Sequence, residues 1–137
     1  MVSPAIHHVL LAAIDLEESR RFYRDVIELR EIARPPFKFP GAWFQFGGGQ
    51  HLHLAVREGT LNRGNRPVDA SDVHVALGMS SYTKTLAWLK AKGFSEELPD
   101  DHMQKMILRP DSIVGRPQIY IIDPAHNVIE FICDAMD

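Results

Sequence analysis

His8, His53, His74 and Glu130 are the residues of this chain whose types and placing best suit chemistry. Each stands inside a short apolar run of β-strand character. His8 lies in Ile6-His7-His8-Val9-Leu10-Leu11, and His53 in His51-Leu52-His53-Leu54-Ala55-Val56. His74 lies in Val73-His74-Val75-Ala76-Leu77, and Glu130 in Val128-Ile129-Glu130-Phe131-Ile132. A lone ionisable group buried in an apolar strand costs free energy unless it is paired. Four such strands in one small protein call for a common explanation, and a shared divalent metal is the simplest. Three imidazoles and one carboxylate suit Zn, Ni, Co, Mn or Fe, and the ligand types do not choose among them. Such an ion would polarise a carbonyl or enolate oxygen, and Glu130 would be within reach as a general base. The same ligands also suit activation of dioxygen.

The elements that must position these residues repeat. A strand over residues 5–13 is followed by Asp15 as a helix N-cap, with Glu18 three residues on in the manner of a capping box. Ser19, Phe22, Tyr23 and Val26 fall at helical spacing and predict one buried stripe. Strands are expected over 28–32 and 42–46, with Pro35, Pro36, Pro40 and Gly41 between them. Trp43 and Phe44 must take opposite faces, but alternation does not say which is core and which is cleft. Gly47-Gly48-Gly49 predicts a hairpin turn into the His53 strand. The second half runs in the same order: the His74 strand, then a helix capped by Ser80 or Ser81, bearing Tyr82, Leu86 and Leu89 and stopped by Gly93. A weak strand near Phe94, a strand over 103–109 and a strand over 118–122 follow. The turn Asp123-Pro124-Ala125-His126-Asn127 then leads into the Glu130 strand. The expected fold class is α+β, built from two βαβββ modules. These span 5–57 and 72–133 of a single 137-residue domain, joined by a polar linker over 58–71. His8 and His74 fall in the first strands of their halves, and His53 and Glu130 in the last.

Composition excludes several function classes. The chain is 45% hydrophobic and 24% charged, as expected of a soluble globular domain. A net charge of -3 gives no reason to expect nucleic acid or an anionic membrane as a partner. No apolar run approaches a membrane span, and the N-terminus lacks the pattern of a secretory signal. Cys133 is the only cysteine, which rules out an internal disulfide and a Cys-rich zinc site and fits a cytoplasmic location.

The residues His8-Val9, Asp15 to Ser19, Phe22-Tyr23, Gly41-Ala42-Trp43, His53-Leu54, the His74 strand and Asp123 to Glu130 together resemble the vicinal oxygen chelate superfamily. That group includes glyoxalase I, extradiol dioxygenases, and the fosfomycin and bleomycin resistance proteins. The stretch from Asp123 resembles its Asp-Pro-x-Gly-Asn-x-x-Glu signature, with His126 in place of Gly. The resemblance implies modules whose mixed sheets curve around a metal cleft, with His8, His53, His74 and Glu130 as the metal ligands. It implies a homodimer and a small-molecule substrate, with a thiol conjugate among the candidates. The activity nearest in look is a lactoylglutathione-lyase-like lyase or isomerase. The alternatives are an extradiol-type dioxygenase and a resistance-type binding or thiol-transfer protein. Glyoxalase I usually has a carboxylate at the position of His53, so here only Glu130 can serve as the proton-transfer base.

Other residues compete for these roles. His51 has the same facing as His53 and rivals it as a ligand, whereas His7 is expected to point outward. His102 and His126 fall in loops. Arg34, Arg57, Arg63, Arg66 and Arg116 are candidates for holding an anionic substrate. Arg34 and Arg116, which flank cleft strands, come first, and Trp43 is a candidate substrate wall.

Overall fold

The computed structural model describes residues 2–56, 63–111 and 113–137. The chain divides into two compact units, Met1–Asn62 and Arg63–Asp137. Arg57 and residues 58–62 of the expected linker lie outside the described residues.

In the first unit, strand β1 (His8–Ala12) leads into helix α1 (Leu16–Arg21). The Glu18 backbone N–H donates to the Asp15 side chain at 3.0 Å, which serves one of the donors every helix start leaves open. The helix widens into a π-helical turn over Phe22–Val26. Ser19, Phe22 and Tyr23 form its buried stripe, and Tyr23 packs on Phe44 with ring centroids 6.0 Å apart. Glu28 adopts a left-handed φ of 63°. It therefore belongs to the turn, and strand β2 (Arg30–Ile32) starts later than the composition suggested. Strands β3 (Gly41–Gln45) and β4 (His51–Ala55) form the expected hairpin, with Gly49 at φ 92° in its turn. The sheet order is β1-β4-β3-β2, with β1 parallel to β4 and the other pairs antiparallel.

The second unit repeats this plan. Strand β5 (His74–Met79) is followed by helix α2 (Tyr82–Ala91). Ser81 is the N-cap, accepting from the Lys84 N–H at 3.1 Å. Gly93, at φ 98°, ends the helix: the N–H groups of Gly93 and Phe94 return to the carbonyls of Lys90 and Leu89. The strand expected near Phe94 is only an isolated bridge between Ser95 and Lys105. Regular pairing begins at β6 (Ile107–Arg109), not at Met103. Strands β7 (Gln118–Ile122) and β8 (Val128–Cys133) complete a sheet ordered β5-β8-β7-β6, with β5 parallel to β8.

Each sheet has a helix on one face. Phe44, Leu52 and Leu54 are fully or almost fully buried in the first unit; Ile119, Ile121, Ile129 and Phe131 are so in the second. Burying each such side chain contributes roughly 1.5–3 kcal/mol. Trp88 of α2 meets Phe131 edge-on at 5.8 Å. The opposite face of each sheet bears the residues of chemical interest. In the second unit part of that face is covered by residues 63–72, where Val68 packs with Tyr120, Ile122 and Val128.

Candidate functional site

Strand pairing settles which residues share the face away from the helix. In the first unit His8 lies beside His51, Leu10 beside His53, and Trp43 beside His53 on the other side. In the second unit His74 lies beside Val128, Ala76 beside Glu130, and Tyr120 beside Glu130. The two registers correspond position by position. His8 matches His74, His53 matches Glu130, Trp43 matches Tyr120, and His51 matches Val128. His53 and not His51 is thus the counterpart of Glu130.

The first unit stacks three rings across three strands. The Trp43 and His53 rings are 3.9 Å apart and nearly parallel, and His53 and His8 follow at 4.1 Å. Trp43 is therefore on the imidazole face, and Phe44 is the core residue. His7, expected to point away, has its Nδ1 3.0 Å from the Nδ1 of His8 and its ring 5.4 Å from His51. His53 is buried, and its Nε2 has no hydrogen-bond partner. Burial, and then the neighbouring histidines and Arg34, lower its pKa to about 4. It is neutral at pH 7, and in the Nδ1-protonated tautomer its Nε2 presents a lone pair to an electrophile.

In the second unit His74 and Glu130 already touch, Nε2 to Oε2, at 2.9 Å. Nδ1 of His74 donates to the Asp72 carbonyl at 2.7 Å, which fixes the ring and directs Nε2 at the carboxylate. Glu130 is buried, with its two oxygens put to different uses. Oε1 accepts from Gln118 Nε2 and, at 3.1 Å, from the Tyr120 hydroxyl. Oε2 faces His74. Desolvation and the adjacent carboxylate raise the Tyr120 pKa, so its hydroxyl keeps its proton and remains a donor.

The Asp123–Asn127 turn places Glu130. Buried Asp123 accepts from the N–H groups of Ala125 and Asn127, each at 2.9 Å, and from the Asn127 side chain. His126 has φ 66°, a conformation that costs a β-carbon-bearing residue about 1 kcal/mol, which accounts for Gly in the corresponding signature. Its ring bonds the Arg66 carbonyl at 2.8 Å, an interaction Gly would lack.

The arginines divide by their partners. Arg63 pairs with Asp72 at 2.8 Å and also donates to the carbonyls of Pro67 and His126. Arg66 pairs with Asp72 at 2.7 Å. Arg116 donates to the Cys133 carbonyl at 3.0 Å and to Asp134 at 2.8 Å, so its guanidinium links β8 to the segment before β7. Arg34 alone of the favoured pair has no carboxylate partner among the described residues. Gln118, Tyr120 and Asp72 escaped the sequence reading. Tyr120 and Gln118 lie two apart on a strand pairing with the Glu130 strand, a signal that becomes readable only once the register is known.

Among the described residues, no group of three or more His, Cys, Asp or Glu side chains is placed to hold a metal ion. The donors stand as two pairs, His8 with His53 and His74 with Glu130. Their chemistry nevertheless suits a divalent ion: His53 offers a buried, neutral and unused nitrogen, and the His74 ring is fixed from behind by a backbone carbonyl.

Two βαβββ units, one carrying a pair of imidazoles and the other an imidazole and a carboxylate at matching positions on its sheet, define a two-module α+β protein. The chain belongs to the Glyoxalase/Bleomycin resistance protein/Dioxygenase superfamily, whose family model matches residues 5–131. Its structure is similar to that of a Bacillus anthracis protein described as of the glyoxalase family, at 26% identity over 97% of each chain with a TM-score of 0.74. It is also similar to lactoylglutathione lyase from Agrobacterium tumefaciens, at 24% identity over 96% of this chain and 95% of that one, with a TM-score of 0.66. A third similar structure is a mutant of the fosfomycin resistance protein FosX from Listeria monocytogenes, complexed with Mn(II) and a dihydroxypropylphosphonic acid. The identity is 18% over 97% of this chain and 93% of that one, and the TM-score is 0.68. Likeness at these last two identities shows the fold alone. No curated protein matches the chain.

Proposed function

We propose that this protein is a divalent-metal-dependent lyase or isomerase that moves a proton beside a carbonyl of a small oxygenated substrate. The observation that carries the reading is the matching register of His8 and His53 with His74 and Glu130. These four residues would hold the ion. When bound, it would supply Lewis-acid polarisation of a substrate carbonyl. Glu130 is the base. Gln118 and Tyr120 hold Oε1, so Oε2 is the oxygen that takes and returns the proton. His74, its Nδ1 fixed by the Asp72 carbonyl, would present Nε2 to the ion, and Trp43 forms an apolar wall beside His53. The Mn(II) seen in the FosX structure supports a divalent ion for this fold. The lactoylglutathione lyase neighbour supports proton-transfer chemistry, with a thiol conjugate among the substrates to try. The same reading takes the working form to be a homodimer.

Metal content and C–H exchange test the proposal together. About one divalent ion per chain is expected in the purified protein, with loss in both His8→Ala and Glu130→Ala. The wild type should exchange the hydrogen beside the carbonyl of a bound 2-oxo or 2-hydroxy thioester for solvent deuterium. Failure to bind any of the five metals would sink the reading in favour of a binding protein. Oxygen uptake with a catechol by the Fe(II)-loaded protein would replace it with ring cleavage.

A further inference from the structure

We propose that Arg34 forms an anion subsite on the His53 face of the first unit, selecting a ligand that joins a carboxylate or phosphonate to a flat apolar body. This rests on the reading that substrate binds along that face. Arg34 is held in place from several sides. Its Nη2 donates to the Phe39 carbonyl at 2.8 Å, and its Cζ lies 4.9 Å from the ring centroids of both Phe37 and Phe39. Behind it is Gly41, where an added β-carbon would come within 2.8 Å of Nη2 and 2.4 Å of the Leu54 carbonyl. A residue with a side chain at position 41 would therefore push the guanidinium off the strand.

What is missing is the counter-charge. Arg20, Arg24, Arg63, Arg66 and Arg116 each have a carboxylate partner. Arg34, half-buried, has none among the described residues, and its solvent-shielded Nε–H has no acceptor. A shielded donor without an acceptor costs free energy, and such groups in native proteins commonly mark a missing ligand or ion. An anionic oxygen supplies what is lacking, through charge-assisted hydrogen bonds to a planar donor edge.

The surroundings specify the rest of the ligand. Gly41 and Trp43 share one face of β3, so the cation and the indole stand on the same side of the sheet. Phe37 is half exposed and lies 6.2 Å from the Trp43 ring; it also stacks on Phe39 at 5.4 Å. A flat apolar body lying against the edges of the adjoining Phe37 and Trp43 rings would place its anionic end toward Arg34 and its other end toward His53.

The test uses the whole chain with metal removed by chelator, so that it does not depend on the metal reading. Benzoate, phenylphosphonate and neutral benzamide are titrated while the Trp43 indole N–H resonance is followed, assigned with a Trp43→Phe variant. Saturable shifts are expected with an anion, about tenfold or more tighter than with benzamide. Arg34→Gln should lose about tenfold or more of that affinity, and Arg34→Lys should keep part of it. The tighter of the two anions names the group recognised. Equal binding of benzamide, unchanged binding by Arg34→Gln with a native NMR spectrum, or no saturable shift with either anion would each overturn the proposal. A protein that binds benzoate through Arg34 but takes up no metal keeps this inference and loses the metal-dependent one.

Discussion

His53 shows how far a single residue can be read. The sequence places an imidazole in an apolar strand and favours His53, but leaves His51 as a rival, because two residues of one strand at i and i+2 share a face. Parallel pairing with β1 separates them, since only His53 occupies the position that Glu130 holds in the second unit. Trp43 and Phe44 divide in the same way, since which of two alternating side chains enters the core depends on where the helix packs. The state of His53 also makes a prediction. Its folded-state pKa, lowered from 6.5 to about 4 mainly by burial, means that the unfolded chain takes up the proton first as pH falls. Stability from this residue is therefore complete above about pH 6.5 and declines as pH falls toward 4, with roughly 1–2 kcal/mol lost by pH 5. Urea unfolding at pH 7 and pH 5 should show this loss in the wild type, and His53→Leu should lack that part of it. An unchanged pH dependence in the variant would assign the loss to other groups.

Elements were legible where their signals are local. Asp15, Ser81 and Gly93 mark helix ends because a cap is made by residues within a few positions of each other. Ser81→Ala should therefore cost about 1 kcal/mol, seen as a lower denaturation midpoint with unchanged slope. The π-helical turn at Phe22 and the mere bridge at Ser95 were not legible, because both depend on what the segment packs against. The partners of Arg116 were not legible for a like reason: its acceptor, the Cys133 carbonyl, lies seventeen positions away and is brought near only by the sheet. Arg63 is the most instructive case. Its side chain is 6% exposed and bonds Asp72, Pro67 and His126, tying the entry of β5 to the turn before β8. The Asp72 carbonyl in turn holds His74. Arg63→Gln should disturb His74 and Glu130 together, lowering metal affinity by about tenfold or more. The His74 Nδ1–H resonance should shift or broaden even without metal. If the fold softens but that resonance stays where it is, Arg63 is structural only.

At the scale of the whole molecule, the repeated βαβββ plan was readable because strand and helix signals recur in one order. Its purpose was harder to read, because each unit supplies only half of the proposed ligand set. A chain whose two units contribute equally to one ion should register that ion in both. A ligand that binds only the folded state stabilises it by RT ln(1 + [L]/Kd), about 2.7 kcal/mol at a hundredfold excess over Kd. Hydrogen exchange resolves where that free energy goes. Adding the cognate ion should slow exchange of the β4 amides around His53 and of the β8 amides around Glu130 by similar factors, whether or not the free units unfold separately. Glu130→Ala should abolish protection in β4 as well as β8, although it leaves every β4 residue unchanged. Protection confined to one unit would mean that the ion is held by a single pair, and the proton-transfer reading built on all four residues would fall with it.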